Sequence, residues 1–486
     1  MYRKSKVLLS IVILLVCASL MSGAFAQVTM PRLNFRDRAL ANGLRVLTAE
    51  DHASPTVAIQ VWYKVGSKDD PDGRSGFAHL FEHMMFKSTK NMKDEMLDRL
   101  TEDVGGFNNA STSDDFTNYY EVVPSNYLET LIWAEADRMG SLNVNEKNFK
   151  SERDVVKEEF RSSILAPPYG RFFYSIEKNS FTLHPYRRPG IGSIEELDAA
   201  TLDNVRSFFD TFYRPDNATL IVVGDFDQKQ LDGWIDKYFS RVPKPDRPLP
   251  RVTVKEPERN GEKRVNEYAP NVPLPAVALS YLTPAVKADD AYALRVAESI
   301  LSSGESSRLY QSLVYRQQIA QEAFAQADLR EDLGLFVIGA ILASDKKPEE
   351  VERSLLAELK RMQDEPVTVA ELEKARNQLL TNLIRDRETN NGKADALGRA
   401  AVLLGDANRV NTDVARLQAV TAADIQRVMT KHFNDKNRVV ITYQSDSMKP
   451  AQGANERGAV PTSESKIAGA KAGRISRSVA GKGATK

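Results

Sequence analysis

One pattern occurs twice along this chain of 486 residues, and the two copies are separated by a constant offset of 220 positions. Thr201–Val205 recurs as Thr421–Ile425, and the apolar run Leu220–Val223 recurs as Val440–Tyr443. Each copy therefore contains a helical segment, then a short turn, then a strand. Repetition of a whole unit without a gap predicts a tandem duplication of one domain.

The order of the predicted elements indicates the fold class. Thr56–Val65 is rich in β-branched and aromatic residues, which predicts a central strand. Tyr127–Gly140 and Leu202–Phe212 have the apolar spacing of amphipathic helices. This irregular alternation favours an α+β fold over a doubly wound parallel sheet. We therefore predict two homologous domains, each a mixed, mainly antiparallel sheet with helices packed on it.

Length and composition divide the chain further. Because 486 residues exceed one ordinary hydrophobic core, we expect at least two domains. Eight prolines between Pro243 and Pro275 indicate a linker. The predicted boundaries are residues 1–26 for a signal peptide, 27–242 for the first domain, 243–275 for the linker, 276–448 for the second domain and 449–486 for a basic, disordered tail.

The first 26 residues are organised like a secretory signal. Arg3, Lys4 and Lys6 precede the apolar run Val7–Leu20, and the small residues of a cleavage site follow at Ala24–Ala26. No later run reaches the length of a membrane span. We therefore expect an exported, periplasmic protein with no transmembrane segment in the mature chain.

Charge and cysteine content argue against a nucleic-acid-binding protein and against a protein stabilised by disulfides. Residues 27–448 contain 55 basic and 64 acidic residues, whereas residues 449–486 contain eight basic and two acidic ones. An acidic body offers no surface for nucleic acid. The only cysteine, Cys17, lies in the predicted signal, so we expect no disulfide in the mature chain.

The stretch with the clearest chemistry is His79-Leu80-Phe81-Glu82-His83. In a helix, the two histidines stand at i and i+4 on one face, so both imidazoles can bind one metal ion. Glu82 lies beside that face in the position of a general base. The order H-x-x-E-H is the inverted zincin motif, whose Zn2+ keeps one position for water. A chance match is disfavoured because the chain has only five histidines.

A third protein ligand has to come from another segment. Ser151–Glu159 predicts a second amphipathic helix. Glu152 and Glu159 are seven residues apart on it, so their spacing places both carboxylates on one face. Together, the two predicted helices offer two imidazoles and at least one further carboxylate.

With these two helices, the chain resembles the pitrilysin/insulinase family of metallopeptidases, in its processing-peptidase-like bacterial branch. The segments Gly105–Tyr120, His184–Ser193 and Tyr213–Phe226 are also similar to that family. The resemblance covers most of the chain. It implies two domains that face each other as the halves of a clam shell, with the metal on the first domain.

The resemblance also assigns roles to single residues. It implies that Glu159 is the third ligand of one Zn2+ per chain and that Glu152 supports the site from behind. It implies that Asn109 and Ala110 lead into an edge strand that binds an extended peptide. It further implies that Arg316 of the second domain reaches the substrate.

These expectations predict a zinc metalloendopeptidase that hydrolyses peptides or unfolded polypeptides, with Glu82 as the base. One alternative is a non-catalytic structural or assembly subunit of the same family. Another is a hydrolase that acts on a non-peptide bond. The complete set of His79, Glu82, His83 and Glu159 argues against the non-catalytic alternative.

The sequence after Arg316 in the second domain predicts a partner subunit. In self-sufficient members of the family, the resemblance implies a tyrosine a few residues after the arginine, whereas Gln321 or a neighbour stands there after Arg316. The metal centre would therefore lack a hydrogen-bond donor. We expect a heterodimer with a homologous, metal-free subunit, or else a homodimer.

Overall fold

The structure is a computed structural model that describes residues 30–450. The predicted signal peptide and nearly all of the predicted tail lie outside the described residues. Among the described residues, no helix is both long and apolar enough to span a bilayer.

The strands of this part of the chain are β1 (Arg36–Ala39), β2 (Arg45–Glu50), β3 (Thr56–Tyr63), β4 (Phe107–Thr112), β5 (Thr117–Pro124), β6 (Ala218–Gly224), β7 (Lys263–Ala269), β8 (Ala276–Pro284), β9 (Ala320–Asp328), β10 (Leu333–Leu342) and β11 (Arg438–Ser445). The α-helices are α1 (Phe77–Met84), α2 (Met96–Glu102), α3 (Leu128–Ser141), α4 (Glu146–Phe160), α5 (Gly170–Ser180), α6 (Ile194–Asp198), α7 (Leu202–Phe212), α8 (Gln228–Phe239), α9 (Asp290–Ser302), α10 (Pro348–Asp364), α11 (Val369–Asp386), α12 (Asn390–Gly398), α13 (Arg409–Ala419) and α14 (Ala422–His432). Short π-helical segments are Arg161–Leu165, Tyr310–Arg316 and Arg399–Leu403.

The strands form two sheets with the same plan. The first sheet has the order β1-β2-β6-β3-β5-β4, with β2 and β6 parallel and the other neighbours antiparallel. The second sheet has the order β7-β11-β8-β10-β9, with β7 and β11 parallel and the other neighbours antiparallel. Strand for strand, the second sheet repeats the first without β1. The prediction of two homologous α+β domains with mixed, mainly antiparallel sheets is confirmed.

β7 lies inside residues 243–275, the stretch for which the sequence predicts a linker. It pairs in parallel with β11, so the second sheet begins at Lys263 rather than at residue 276. The sequence pattern does not predict this strand, because its residues, KRVNEYA, are mostly polar and prolines flank it on both sides. An edge strand tolerates such a polar composition because one of its sides faces solvent.

Each sheet buries one face under helices of its own domain. In the first domain, α1, α3, α7 and α8 pack against Val57, Ile59 and Val61 of β3. In the second domain, α9, α10 and α14 pack against Leu279 of β8 and Ile338 of β10. In β3, every second side chain contributes to this layer, as the period of a strand requires.

The opposite face of the second sheet is covered by a helix of the first domain. α5 brings Phe172 and Ile176 into one apolar cluster with Ala278, Val337 and Ile441 of the second sheet. These three small and β-branched residues belong to β8, β10 and β11. The first domain therefore completes the core of the second.

The reverse contact completes the first sheet. α12 and the π-helical segment after it bring Leu397 and Ala400 into one cluster with Ala58, Trp62 and Ile221 of the first sheet. α5 and α12 occupy equivalent places in the two domains, so the exchange is reciprocal. Consequently, neither domain can bury both faces of its sheet with its own residues alone.

Charged residues hold the loop between β9 and β10 on the first domain. Arg330 is only 3% exposed and pairs with Asp114 at 3.2 Å and with Glu177 at 2.9 Å. Next to it, Lys68 pairs with Glu331 at 2.8 Å. These contacts offset the desolvation cost of burying the charges and fix the loop on the first domain.

Gly398 of α12 provides a test of the exchange because it lies against the ring of Trp62. A Cβ atom at residue 398 would lie 2.2 Å from Cε2 of Trp62, whereas a Cβ atom at Gly233 of α8 would meet nothing within 4 Å. We expect Gly398→Ala to lower the free energy of unfolding by about 1–3 kcal/mol through overpacking. Gly233→Ala should raise it by about 0.5–1 kcal/mol, because alanine favours a helix. Urea unfolding measures both effects, and equal stabilisation by the two substitutions would contradict this packing.

Candidate metal centre

α1 carries core residues on one side and the H-x-x-E-H side chains on the other. Phe77, Leu80 and Phe81 are fully buried. The ring of Phe81 stacks on Phe208 of α7, with centroids 5.5 Å apart. The histidines and the glutamate of the motif remain partly exposed. Burial of the apolar side therefore orients the polar side outward.

Backbone contacts determine where α1 begins. Gly76, the residue before the helix, has a φ of +89°, and a Cβ atom there would lie 2.9 Å from the carbonyl oxygen of Ile191. Asp70 accepts hydrogen bonds from the backbone N–H groups of Gly76 at 2.7 Å and Ala78 at 2.9 Å. It thereby satisfies donors that the first turn of a helix leaves unpaired. Burial raises the pKa of Asp70 to about 8 in spite of these two bonds.

The helices α1 and α4 bring three potential ligands together. Nε2 of His79 lies 3.4 Å and Nε2 of His83 lies 3.3 Å from Oε2 of Glu159. The two Nε2 atoms are 3.4 Å apart. Within residues 30–450, these three side chains form a cluster whose geometry could hold a metal ion.

This triangle of donor atoms fits zinc. With Zn–N and Zn–O bonds of about 2.0–2.1 Å, donors at the corners of a tetrahedron are about 3.3–3.4 Å apart. The three separations match that edge length. The fourth corner of the tetrahedron is then left for another ligand. Burial lowers the pKa of His79, which favours the neutral imidazole that a metal requires.

α4 positions Glu159 through its cap and its buried face. The side chain of Asn145 accepts a hydrogen bond from the backbone N–H of Asn148 at 2.9 Å, which begins the helix. Phe149 and Val156 are buried in the first core. Glu159 lies one turn further on, where its side chain is 40% exposed and faces the histidines.

Glu152 lies behind His83, two turns before Glu159. Its Oε2 atom is 3.9 Å from Nδ1 of His83, which is too long for a direct hydrogen bond. Its Oε1 atom pairs with Nζ of Lys87 at 2.9 Å and accepts a hydrogen bond from Ser151 Oγ at 2.9 Å. Glu152 is thus adjacent to the nitrogen of His83 that faces away from the triangle.

Glu82 is partly exposed, and its side chain makes no hydrogen bond or ion pair with another residue of the described part. Burial raises the pKa of Tyr119 and of Tyr120, and the negative charge of Glu82 adds to both shifts. The carboxylate of Glu82 therefore lies near both phenols of β5. An unpaired carboxylate beside the donor triangle is free to accept a proton from a water molecule.

Asn109 and Ala110 lie in the middle of β4, whereas the sequence predicts that they lead into the strand. β4 is the edge of the first sheet. On its inner side, these residues pair with Tyr120 and Tyr119 of β5. Among the described strands, none pairs with its outer side, which is where an extended peptide could add. The backbone N–H of Ala110 donates to Oδ1 of Asn109 at 2.8 Å, a bond that a bound peptide would have to replace.

Arg316 does not join the metal residues of its own chain. It ends the π-helical segment before β9, is exposed, and donates from Nε to the carbonyl oxygen of Gln311 at 3.1 Å. Its neighbour Tyr315 is 67% exposed. Gln321, at the start of β9, is exposed as well. These side chains line an outer surface of the second domain.

Asp70 and Glu196 both hold the start of α1, and sequence reasoning missed both. Glu196 accepts a hydrogen bond from the backbone N–H of Ser75 at 2.5 Å. Gly192, with a φ of +77°, packs its backbone against Ser75 and Gly76. The glycines of this segment were the available signal, because such close backbone approach excludes a Cβ atom.

Comparison with known proteins identifies the family of this chain. The profile described as Insulinase (Peptidase family M16) matches residues 45–182, and the one described as Peptidase M16 inactive domain matches residues 199–379. The chain belongs to the M16 peptidase family. The first match contains the whole donor triangle and Glu82. The second M16 match covers most of the second domain, whose helix α9 contains no histidine.

Curated M16 relatives have comparable lengths. The zinc protease PqqE of Helicobacter pylori is 31% identical over 405 residues, which cover 83% of this M16 chain and 91% of that protein. The Probable mitochondrial-processing peptidase subunit beta of Arabidopsis thaliana is 25% identical over 410 residues, with coverages of 83% and 77%.

Solved structures repeat the fold. A protease from Helicobacter pylori superposes with a TM-score of 0.82 at 29% identity, over 85% of this chain and 100% of that one. The first half of the periplasmic protease PqqL from Escherichia coli superposes with a TM-score of 0.68 at 19% identity, over 86% and 93%. This second similarity concerns the fold alone.

Asp70→Ala provides a test of how α1 is held. The substitution leaves the buried N–H groups of Gly76 and Ala78 without their acceptor, so we expect a loss of about 1–3 kcal/mol of unfolding free energy for each. Asp72→Ala is the matched control, because Asp72 is 93% exposed in its pair with Arg188. Its loss should stay below about 1 kcal/mol. Similar losses in the two variants, measured by urea unfolding, would contradict the role of Asp70.

Proposed function

We propose that this chain is an exported zinc-dependent endopeptidase that hydrolyses peptides or unfolded polypeptides. The observation that carries the proposal is the triangle of His79, His83 and Glu159, whose donor atoms are 3.3–3.4 Å apart. An unpaired Glu82 stands beside it. The M16 relatives named zinc proteases support the same chemistry.

In this proposal, the residues of the site divide into three metal ligands, one supporting carboxylate and one base. His79, His83 and Glu159 hold one Zn2+, and Glu152 orients His83 from the side of Nδ1. A zinc ion held there would supply a water molecule of lowered pKa and a Lewis acid for the scissile carbonyl. Glu82 accepts the proton of the attacking water and later donates it to the leaving amine.

The substrate lies along β4 in this proposal. Its outer backbone groups, around Asn109 and Ala110, add an extended peptide as a further strand. Main-chain hydrogen bonds bind the peptide backbone and tolerate many side chains. Because only an extended segment can pair in this way, unfolded polypeptides are the preferred substrates.

Export rests on the sequence of residues 1–26, which lie outside the described residues. A positively charged start, an apolar run and small residues before a cleavage site are the features of a signal peptide. We therefore propose the periplasm as the location of the mature chain.

The division between ligands and base is testable by metal analysis. We expect His79→Ala, His83→Ala and Glu159→Ala each to lose most of the zinc, because each removes one of three protein ligands. Glu82→Gln should keep one zinc per chain and lose peptide hydrolysis. Zinc content and hydrolysis of an unstructured peptide are measured on the same preparations. Loss of zinc from Glu82→Gln, or full zinc in His83→Ala, would contradict the assignment.

The same experiment separates the alternatives. A non-catalytic assembly subunit of the M16 family would bind zinc without hydrolysing any peptide. A hydrolase of another bond would lose its own activity in Glu82→Gln but leave peptides intact. Chelator-sensitive cleavage of an unstructured peptide by the purified protein supports the endopeptidase.

We further propose that the chain works with a second subunit. The exchange of α5 and α12 interlocks the two domains of one chain. In this proposal, a second subunit supplies the surface that encloses the substrate. Arg316 and Tyr315 are exposed, and neither makes a hydrogen bond or ion pair with the triangle of its own chain. A homologous, metal-free subunit that supplies an arginine and a tyrosine would complete the site, and a homodimer is the second candidate.

Adding such a subunit should raise turnover. A co-expressed homologue without H-x-x-E-H should increase the kcat of the purified chain by about 100- to 1,000-fold, the usual contribution of one oxyanion donor. In that heterodimer, Arg316→Ala should change little, because the partner supplies the arginine. In a homodimer, mixing Glu82→Gln chains with Arg316→Ala chains should restore activity that neither has alone. Full activity from the isolated monomer would exclude both assemblies.

A further inference from the structure

The second domain contains a cavity of about 400 Å3 between α9, α11, α12 and α13. α9 and α11 occupy in this domain the places that α1 and α4 occupy in the first. The helix pair that holds the donor triangle in one copy therefore lines a cavity in the other. Its volume falls in the range of about 300–1,000 Å3 that is typical of ligand sites.

The charged residues of the wall are Arg295, Arg387, Arg399 and Arg409 and the carboxylates Glu298, Asp386, Asp395 and Asp413. Arg399 pairs with Asp395 at 2.8 Å, and Arg409 pairs with Asp413 at 2.6 Å. These two arginines therefore have fixed carboxylate partners on the protein. An incoming anion would have to compete with those carboxylates for them.

Two further arginines of the wall make no ion pair in the described part, although the charge of Asp413 acts on both. Arg295 is exposed and lines the cavity, and its side chain makes no hydrogen bond or ion pair with any residue of the described part. Arg387 donates to the carbonyl oxygen of Val410, and its Nε atom has no partner. Glu298, beside Arg295, has a pKa raised to about 7 by burial, which weakens it as a competing anion.

The rest of the wall is largely apolar. Leu379 and Leu383 of α11 face Leu403, Leu404 and Leu417 across the cavity. A ligand that fills this space therefore combines an apolar group with a negative charge. The guanidinium group binds a carboxylate through two parallel hydrogen bonds, which favours a carboxylate over a neutral polar group.

The cavity adjoins the domain junction, and the charge of Asp395 in its wall acts on Tyr120 of β5. Tyr120 pairs in register with Gln60, and Gln60 donates to Oδ1 of Asn391 in α12 at 2.8 Å, so Tyr120 faces α12. Besides burial, the charges of Asp395 and Glu82 both raise the pKa of Tyr120. One phenol is thus within electrostatic range of the cavity wall and of the proposed base.

We propose that this cavity binds the C-terminal carboxylate of a peptide whose last side chain is apolar, with Arg295 as the residue that recognises the charge. The proposal rests on the proposed function, because it takes peptides as the ligands of this chain. The apolar side chain fills the space between the leucines, and the carboxylate pairs with Arg295. The site then holds one end of a peptide near the edge strand β4.

The test compares two peptides that differ in one charge. A fluorescent peptide that ends in leucine with a free carboxylate, and its C-terminal amide, are titrated against the full-length Glu82→Gln protein by anisotropy. We expect the free acid to bind about 10- to 100-fold more tightly, as the loss of a charge-assisted hydrogen bond predicts. Adding Arg295→Gln should remove this preference, because it should weaken the binding of the free acid and leave the binding of the amide unchanged. Arg385→Gln, an exposed arginine of α11 outside the cavity, is the matched control and should keep the preference.

Equal affinity for acid and amide would overturn the proposal, and so would an equal loss for both peptides in Arg295→Gln. Hydrolysis of an internal peptide bond by the unmodified protein is measured in parallel. Hydrolysis without a preference for the free acid overturns the cavity proposal alone. A preference for the free acid without any hydrolysis supports the cavity and overturns the proposed endopeptidase.

Discussion

The reciprocal exchange of α5 and α12 is the contact on which the rest of the structure depends. Each sheet has two apolar faces, and only one of them is covered by helices of the same domain. Trp62 and Ile221 on the first sheet are fully buried because α12 arrives from the other domain. Since exposing such a face to water would cost far more than a domain's net stability, the two copies have to fold as one unit.

This dependence extends to the metal centre. α1 stands on the first sheet through Phe77 and Phe81, so its position follows from a sheet that is complete only when both domains are present. Asp70 holds the start of the helix, and α4 brings Glu159 to its histidines. Duplication thus produced two copies of one plan, in which the same helix pair presents two imidazoles and a carboxylate in one domain and lines a cavity in the other.

Local patterns predicted most elements of the fold. The helix Leu202–Phe212 has the predicted bounds, and Thr56–Val65 contains β3, because strong periodicity reports which side of an element is buried. β7 escaped prediction since its polar residues form an edge that no periodicity reveals. The sequence did not predict Arg295 as a binding residue either, because nothing in the local sequence of this apolar helix indicates the cavity that the arginine lines.

By itself, the sequence determined the duplication and the spacing of His79, Glu82 and His83, since helical periodicity alone puts two histidines four residues apart on one face. It left Glu152 and Glu159 on one face of a second helix, and only the resemblance separated their roles. The tertiary structure decided that Glu159 lies 3.3 Å from His83, whereas Glu152 lies behind it at 3.9 Å. Local periodicity cannot distinguish two residues one heptad apart. The angle and depth at which two helices pack do distinguish them, because core side chains distant in the chain set that packing.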